Sequence, residues 1–280
     1  MINWLAIAFS GILGFGLLSV ISSVIMSLFR NLAWFSKGMR EYTKSGYESA
    51  ASKFDPNELT GVRIDGTRVL VTGANSGIGL VCCKELARHG ARIHMVCRNK
   101  SRAEEARQEI ISETGVNESL IIIHLLDLSK PNDVHSFGKQ FANNNDSRLD
   151  ILINNAGCMI NEYKTDENGI EANFATNTLG TYILTECLIP ALKKSPDAVA
   201  LSMPSFYNKM KNKLRTPEQG ADTVIWLALV PNVRRYPNGS FFQDRHVVSQ
   251  HLKLGCTQST DYEKQRFMSN LADIAAPFFK

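Results

Sequence analysis

One stretch constrains this 280-residue chain more than any other: Arg68-Val69-Leu70-Val71-Thr72-Gly73-Ala74-Asn75-Ser76-Gly77-Ile78-Gly79. A short β-branched run leads straight into glycines spaced Gly-x-x-x-Gly-x-Gly, and an apolar-periodic segment follows from Leu80 to Leu86. That pattern predicts a strand, a tight turn and a helix N-terminus. Glycines there let the backbone approach a pyrophosphate, and the free N–H groups opening the helix attract its charge. A glycine-rich turn by itself has a purely structural explanation. The strand before it and the helix after it turn the pattern towards a nucleotide. Gly73, Asn75, Ser76, Gly77, Ile78 and Gly79 are the residues expected to line the cradle.

Strand and helix then alternate. A helix is expected over Gly77–His89, and strands over Arg92–Cys97, Leu120–Leu126 and Asp150–Asn154. Further helices are expected to open at Ser101-Arg102-Ala103-Glu104, read as a capping box, at Pro131, and from about Phe174 to Leu192. Unalternating runs of Ile, Val and Leu suit strands buried on both faces. The fold class is therefore α/β: a doubly wound, Rossmann-like parallel sheet with right-handed crossovers. Such sheets bind ligands beyond the carboxyl ends of their strands.

The second strand ends in Arg98-Asn99-Lys100. An acid there would accept hydrogen bonds from a ribose 2′-hydroxyl; a guanidinium suits a 2′-phosphate instead, which points to NADP over NAD. The competing explanation is a solvated basic loop. Asp127, after the third strand, is placed to accept from an adenine amino group with the Leu128 backbone beside it, or to cap the following turn; the two roles are compatible.

At this point the residues resemble a family. Thr72-Gly73-x-x-x-Gly77-Ile78-Gly79, Asp127-Leu128, Asn154-Asn155-Ala156-Gly157 and Asn177-x-x-Gly180 are similar, in order and spacing, to the motifs of the short-chain dehydrogenases/reductases, over roughly Thr67 to Asp197. Arg30 to Gly61, with Tyr42 to Glu48 within it, and then Arg215 to Asp222 through Gly239 to Arg245 resemble one branch of it more closely. The resemblance implies an enzyme that moves hydride between a nicotinamide and a carbonyl or alcohol. It adds Asn155, Ala156 and Gly157 to the cofactor site, and makes Asn177 the asparagine that keeps the helix and proton relay in place.

The rest of the family's machinery fits poorly. It uses a tyrosine to protonate the carbonyl oxygen, a lysine four residues later and a serine upstream. Tyr207 and Lys211 have that spacing, with Ser202 and Ser205 before them. Yet Ser202 stands five residues before Tyr207 with Pro204 between, where the family places about a dozen residues to fit strand, loop and helix. The family pattern then resumes at Arg215. The expectation is a domain truncated in its C-terminal half, lacking several dozen residues near Ala200 to Met203, with Tyr207 and Lys211 as surface residues of a basic helix. The fifth strand and a strand near Ser240–Gln243 would then lose their neighbour.

Trp4 to Phe29 contains no charged residue. A helix of that length spans about 39 Å against a hydrocarbon core of roughly 30 Å, enough to cross a bilayer. A cleaved leader would need a basic n-region and a small-x-small site, and neither stands out. Arg30, Lys37, Arg40 and Lys44 follow, so the expectation is a single-pass anchor over residues 1–29 with the main domain cytosolic. Residues 30–66 are a connecting region that either lies along the membrane interface or covers helices near the first strand, and 67–280 form the NADP-binding domain. The net charge of +4 comes from bases interleaved with acids, which argues against nucleic acid. Six cysteines without a CxxC pair argue against zinc or a disulfide framework. Two functions follow: an NADP-dependent oxidoreductase acting on an apolar carbonyl or alcohol, or a catalytically inactive, membrane-anchored nucleotide-binding or interaction protein of the same lineage.

Overall fold

The computed structural model describes residues 26–144, 148–202, 214–230, 233–251 and 257–279. Five strands form a sheet in the order β3-β2-β1-β4-β5: β1 Arg68–Thr72, β2 Arg92–Cys97, β3 Ile121–Leu125, β4 Ile151–Asn154 and β5 Val199–Ser202. All four pairings are parallel. Helix α1 covers residues 26–41. The others are α2 Lys44–Ala51, α3 Gly77–Arg88, α4 Lys100–Thr114, α5 Pro131–Asn143, α6 Ala172–Phe174, α7 Thr181–Leu192, α8 Pro217–Leu229 and α9 Asp261–Ala275. A π-helical stretch, Ala175–Gly180, joins α6 to α7.

The period of two along β1 builds both layers. Val69 and Val71 pack with residues of α3, α4 and α8, while Leu70 faces a second core made with α5, α7 and α9. Strand order reverses between β2-β1 and β1-β4, which opens the crevice where ligands of doubly wound sheets sit.

Several expectations shift. Helix α4 begins at Lys100 with Asn99 as its cap, its side chain accepting from the Arg102 N–H; Ser101 instead hydrogen-bonds Glu105. Asparagine is the better cap because its carbonyl reaches the N–H three residues on, ahead of any box at Ser101. Leu120 belongs to a 3-10 turn, Glu118–Leu120, before β3. The segment near Ser240–Gln243 does not join the main sheet. It makes a small hairpin, β6 Phe242–Gln243 with β7 His246–Val247, turned by Asp244 and Arg245 at positive φ. Among the described residues β5 has β4 on one side and no strand on the other.

The connecting region covers part of the body. Leu59, Val62 and Ile64 pack on the core beside α3, and Thr43 bridges Leu214. Two arginines complete the attachment. Arg215 pairs with Asp244, donates to the Glu41 carbonyl at 2.6 Å and lies over the Tyr47 ring. Arg245 pairs with Asp222 and Glu58 and lies over Phe54. In contrast, α1 exposes Leu28, Phe29, Leu32, Trp34 and Phe35. Apart from 26–29, the expected anchor lies outside the described residues, and among these no helix is long and apolar enough to cross a membrane.

Candidate cofactor site

The glycine turn is built to atomic tolerance. Gly73 and Gly77 adopt φ of +66° and +55°, a conformation that side chains resist. A Cβ on Gly79 would come 2.4 Å from the Gly73 carbonyl oxygen and 2.5 Å from Asn155 Nδ2. One on Gly73 would meet the Ala156 Cα at 3.0 Å. Ser76 and Gly77 are exposed at the mouth, whereas Gly79 is buried, Ile78 half-buried and packed on the core, and Asn75 half-buried in the turn. The backbone therefore lies open where α3 begins, at a helix of twelve residues whose free N–H groups and dipole favour an anion.

Thr72 braces this cradle from below. Its hydroxyl accepts from the N–H groups of Asn155, at 3.0 Å, and Ala156, at 2.9 Å. Asn155 returns its carboxamide N–H to the Thr72 carbonyl at 2.8 Å. Asn155 and Ala156 thus hold the turn in shape, and Gly157 continues exposed beyond them. Thr72 opens the glycine motif in the sequence but has no role assigned to it there; a hydroxyl ending an otherwise apolar buried strand was the available signal. Beneath the turn, burial pushes the Cys97 thiol up to about 11, outweighing the opposite pull of the Ala74 and Asn75 N–H groups. Burial likewise raises Cys82 and Cys83. All three thiols stay neutral near pH 7, so no thiolate opposes an anion in the cradle.

At the outer end of the crevice, Arg98 is exposed just past β2. It makes no hydrogen bond or ion pair among the described residues. Arg98, Leu126 and Asp127 line a hollow that also includes Ser136 and Gln140 of α5. The Asp127 carboxylate accepts from the Ser129 N–H at 3.0 Å and hydroxyl at 2.8 Å, the turn-capping role expected of it. One carboxylate oxygen is committed there; the other is available to a ligand. Leu128 is buried, and its carbonyl packs so closely on Gly180 that a Cβ there would lie 2.1 Å away.

At the inner end, Asn177 sits in the π-helical stretch, a deformation often found at functional sites. Its carboxamide accepts from the Cys158 N–H and donates to the Cys158 carbonyl, both at 2.8 Å. One turn earlier, Asn173 does the same for Ile160, at 2.7 and 2.9 Å. Asn173 escapes the sequence reading; its four-residue spacing from Asn177 was the only clue. Ser202 ends β5 in register with Asn154 of β4. Tyr207 and Lys211 lie outside the described residues. Among the described residues no cluster of His, Cys, Asp and Glu could hold a metal.

Comparison with known proteins agrees with this geometry. The family model for short chain dehydrogenase matches residues 67–217. Dehydrogenase/reductase SDR family member 12 of Bos taurus is 39% identical over 321 residues, covering 90% of this chain and 100% of the relative. The Homo sapiens protein of that name is 38% identical over the same coverage. Retinol dehydrogenase 12 of Mus musculus is 39% identical over 147 residues, 52% of this chain and 46% of that one. The alignment spans 321 positions against 280 residues in this chain, so part of the bovine relative has no counterpart in it. The turn, the brace and the asparagines occupy the crevice in the order the family's pattern requires, and the chain belongs to the short-chain dehydrogenase/reductase family.

Proposed function

We propose that this protein is an NADP-dependent oxidoreductase acting on an apolar carbonyl or alcohol, anchored in a membrane by the apolar segment ahead of α1, with the sheet domain on the cytosolic side. Arg98 carries the cofactor reading. It is exposed, has no protein partner among the described residues and stands at the end of β2, where a carboxylate would select a ribose hydroxyl. A fork of N–H donors there suits a 2′-phosphate.

The residues present fit a dinucleotide. The cradle is one that a single Cβ on Gly79 would fill, which suits close backbone approach to a pyrophosphate. Gly73, Asn75, Ser76, Gly77, Ile78 and Gly79 would hold the pyrophosphate side, Arg98 the 2′-phosphate, Asp127 and Leu128 the adenine, and Asn155, Ala156 and Gly157 the floor. When bound, the dinucleotide would supply a hydride to a carbonyl carbon, the oxygen taking up a proton, or accept a hydride from the carbinol carbon of an alcohol, the hydroxyl giving up its proton. Asn177 keeps the loop beyond Gly157 in place through both backbone groups of Cys158. An apolar substrate is favoured by Met159 and Ile160, which are exposed on that loop, and by the name of the relative that acts on retinol. The membrane reading rests on the charge-free segment Trp4–Phe29 and on α1, whose exposed apolar residues are interspersed with Arg30, Lys37 and Arg40.

Titration of NADPH fluorescence tests the cofactor. Saturable binding is expected, with Arg98→Ala weakening NADPH far more than NADH; equal losses would remove the 2′-phosphate role. Turnover on a panel of apolar aldehydes tests the reaction. Because the spacing around Ser202 argues against Tyr207, Tyr207→Phe is expected to leave that turnover intact, and its abolition would make Tyr207 the proton source. Retention in the pellet after carbonate extraction is the expected outcome for the anchor, and release into the supernatant would refute it.

A further inference from the structure

The chain from Asn155 to Ile160 is tied at both ends. Thr72 and the glycine turn hold Asn155 and Ala156, and two carboxamides from one helical segment hold Cys158 and Ile160. Each asparagine meets an N–H and a C=O of the same residue, the pairing that a neighbouring strand would otherwise offer. This loop has left the sheet at Asn154, so its backbone groups need partners of another kind. Asn177 is the asparagine the family pattern marks. Asn173 is not, yet it is the more heavily engaged. Its Nδ2 also donates to Glu171 Oε1 at 2.7 Å, and that carboxylate is fixed by the N–H groups of Asn173 and Phe174 at 2.9 and 2.8 Å. Those backbone bonds hold the Glu171 carboxyl below its usual range, so it stays ionised and orients the Asn173 amide.

We propose that Asn173 is a positioning residue of the cofactor site: its clasp on Ile160, oriented by Glu171, fixes the path of residues 156–160 and so the seat of Ala156 and Gly157 against the glycine turn. The link is short. The Ala156 Cα sits 3.0 Å from where a Gly73 Cβ would be, and Ile160 lies four residues further along, with Cys158 between them held by Asn177 and in contact with Asn173 itself. Slack at Ile160 therefore leaves Asn177 alone to hold the segment that forms the wall of the cradle. This proposal rests on the reading of the crevice as a dinucleotide site.

The discriminating variant is Asn173→Asp, which keeps the shape and the acceptor for the Ile160 N–H. It replaces the donor with an oxygen facing the Ile160 carbonyl and the Glu171 carboxylate. Ionised, that oxygen repels both; protonated, it donates again. Glu171 and Cys158, whose Sγ lies 3.7 Å from Asn173 Oδ1, are the titratable groups in contact with this carboxamide. Calorimetric titration with NADP+ is expected to show about tenfold weaker binding for Asn173→Asp at pH 8, equivalent to about 1.4 kcal/mol. Measured against the parent at each pH, the deficit should shrink towards pH 5. Asn173→Ala should weaken binding at every pH, and hydrogen exchange should show lost protection at the Ile160 amide in both. If both variants bind as the parent does while only their melting temperatures fall, Asn173 is merely structural and the proposal fails. A pH-independent deficit in Asn173→Asp removes the Glu171-oriented clasp. Absence of NADP+ binding by the parent itself would overturn the cofactor reading first, and this proposal with it.

Discussion

Replacing Gly79 by alanine tests the cradle with one carbon atom. The added Cβ would stand 2.4 Å from the Gly73 carbonyl oxygen and 2.5 Å from Asn155 Nδ2. The first contact sets a Cβ, fixed by its own backbone, against a main-chain oxygen, and no rotamer relieves it. The second pushes the Asn155 carboxamide away from the Thr72 carbonyl it meets at 2.8 Å. Overpacking of this kind costs about 1–3 kcal/mol, and the disrupted hydrogen bond adds about 1 kcal/mol. For a chain of this size each kcal/mol moves the melting temperature by roughly 2–4 °C, so a fall of about 5–15 °C is expected. The same displacement moves the turn proposed to hold the pyrophosphate, and NADP+ binding should be lost. Gly115→Ala supplies the control. Gly115 caps α4 at φ +69° with nothing within 4 Å of its would-be Cβ. Only conformational strain applies there, about 1–2 kcal/mol, and NADP+ affinity should not change. Thermal melts with and without NADP+, together with calorimetry, read both quantities. If Gly79→Ala melts and binds like the parent, the turn is not at its contact limit and is not the cofactor cradle.

Two further outcomes follow from the packing. His124 lies stacked on His94 with Phe137 and Phe141 against it, and burial depresses its pKa. The folded state therefore disfavours the imidazolium, and stability present above the unfolded value of about 6.5 is lost as pH falls below it. Urea midpoints from pH 7.5 to 5 should drop for the parent and drop less for His124→Gln; equal slopes would refute a contribution from His124. Arg215→Met strips the nearly buried Asp244 of its partner and the Glu41 carbonyl of a donor. Leaving a buried charge unpaired typically costs about 3–5 kcal/mol, so a large fall in urea midpoint is expected, with partial recovery when Asp244→Asn is added, and limited proteolysis should begin near residue 42. A midpoint unchanged from the parent would show the pair to be dispensable.

What could be read in advance was whatever a local rule fixes. The apolar run of β1 forced burial on both faces, and the glycine spacing forced the turn, because only residues without a Cβ fit at Gly73 and Gly79. That Arg98 and Asp127 line one hollow was legible because strand ends in this topology face one crevice. The clasps were not, since Asn173 meets Ile160 and Arg215 meets Glu41 through tertiary contacts that no periodicity encodes. The cap of α4 was misplaced for a local reason: Asn99 and Ser101 are both good caps, and the choice depends on where β2 releases the chain. Arg245 at positive φ had no sequence signal, and Asp244 only the weak one that aspartate tolerates this conformation better than most residues, because glycine normally marks such a turn.

The attachment of residues 41–64 bears on how the C-terminal part is held. With β5 lacking a strand on its outer side among the described residues, the elements after Leu214 do not extend the main sheet. They reach the body in two ways. Helix α8 packs on α3, closely enough that a Cβ on Gly220 would meet Ile78 at 2.8 Å, and the hairpin is tied through Arg215 and Arg245 to α2 and its flanks. Each arginine joins a carboxylate of the C-terminal part to an aromatic ring of the N-terminal segment, Tyr47 for one and Phe54 for the other. These contacts are low in exposure, where ion pairs are less screened than on an open surface. A chain beginning at Thr67 keeps every strand, yet it loses both rings, Glu58 and the Glu41 carbonyl. The expected result is that such a chain retains the sheet by circular dichroism but is cleaved by protease between Arg235 and His246, while the chain from Met26 resists. Equal resistance would mean that α8 alone holds the C-terminal part, and that the N-terminal segment is covering rather than fastening it.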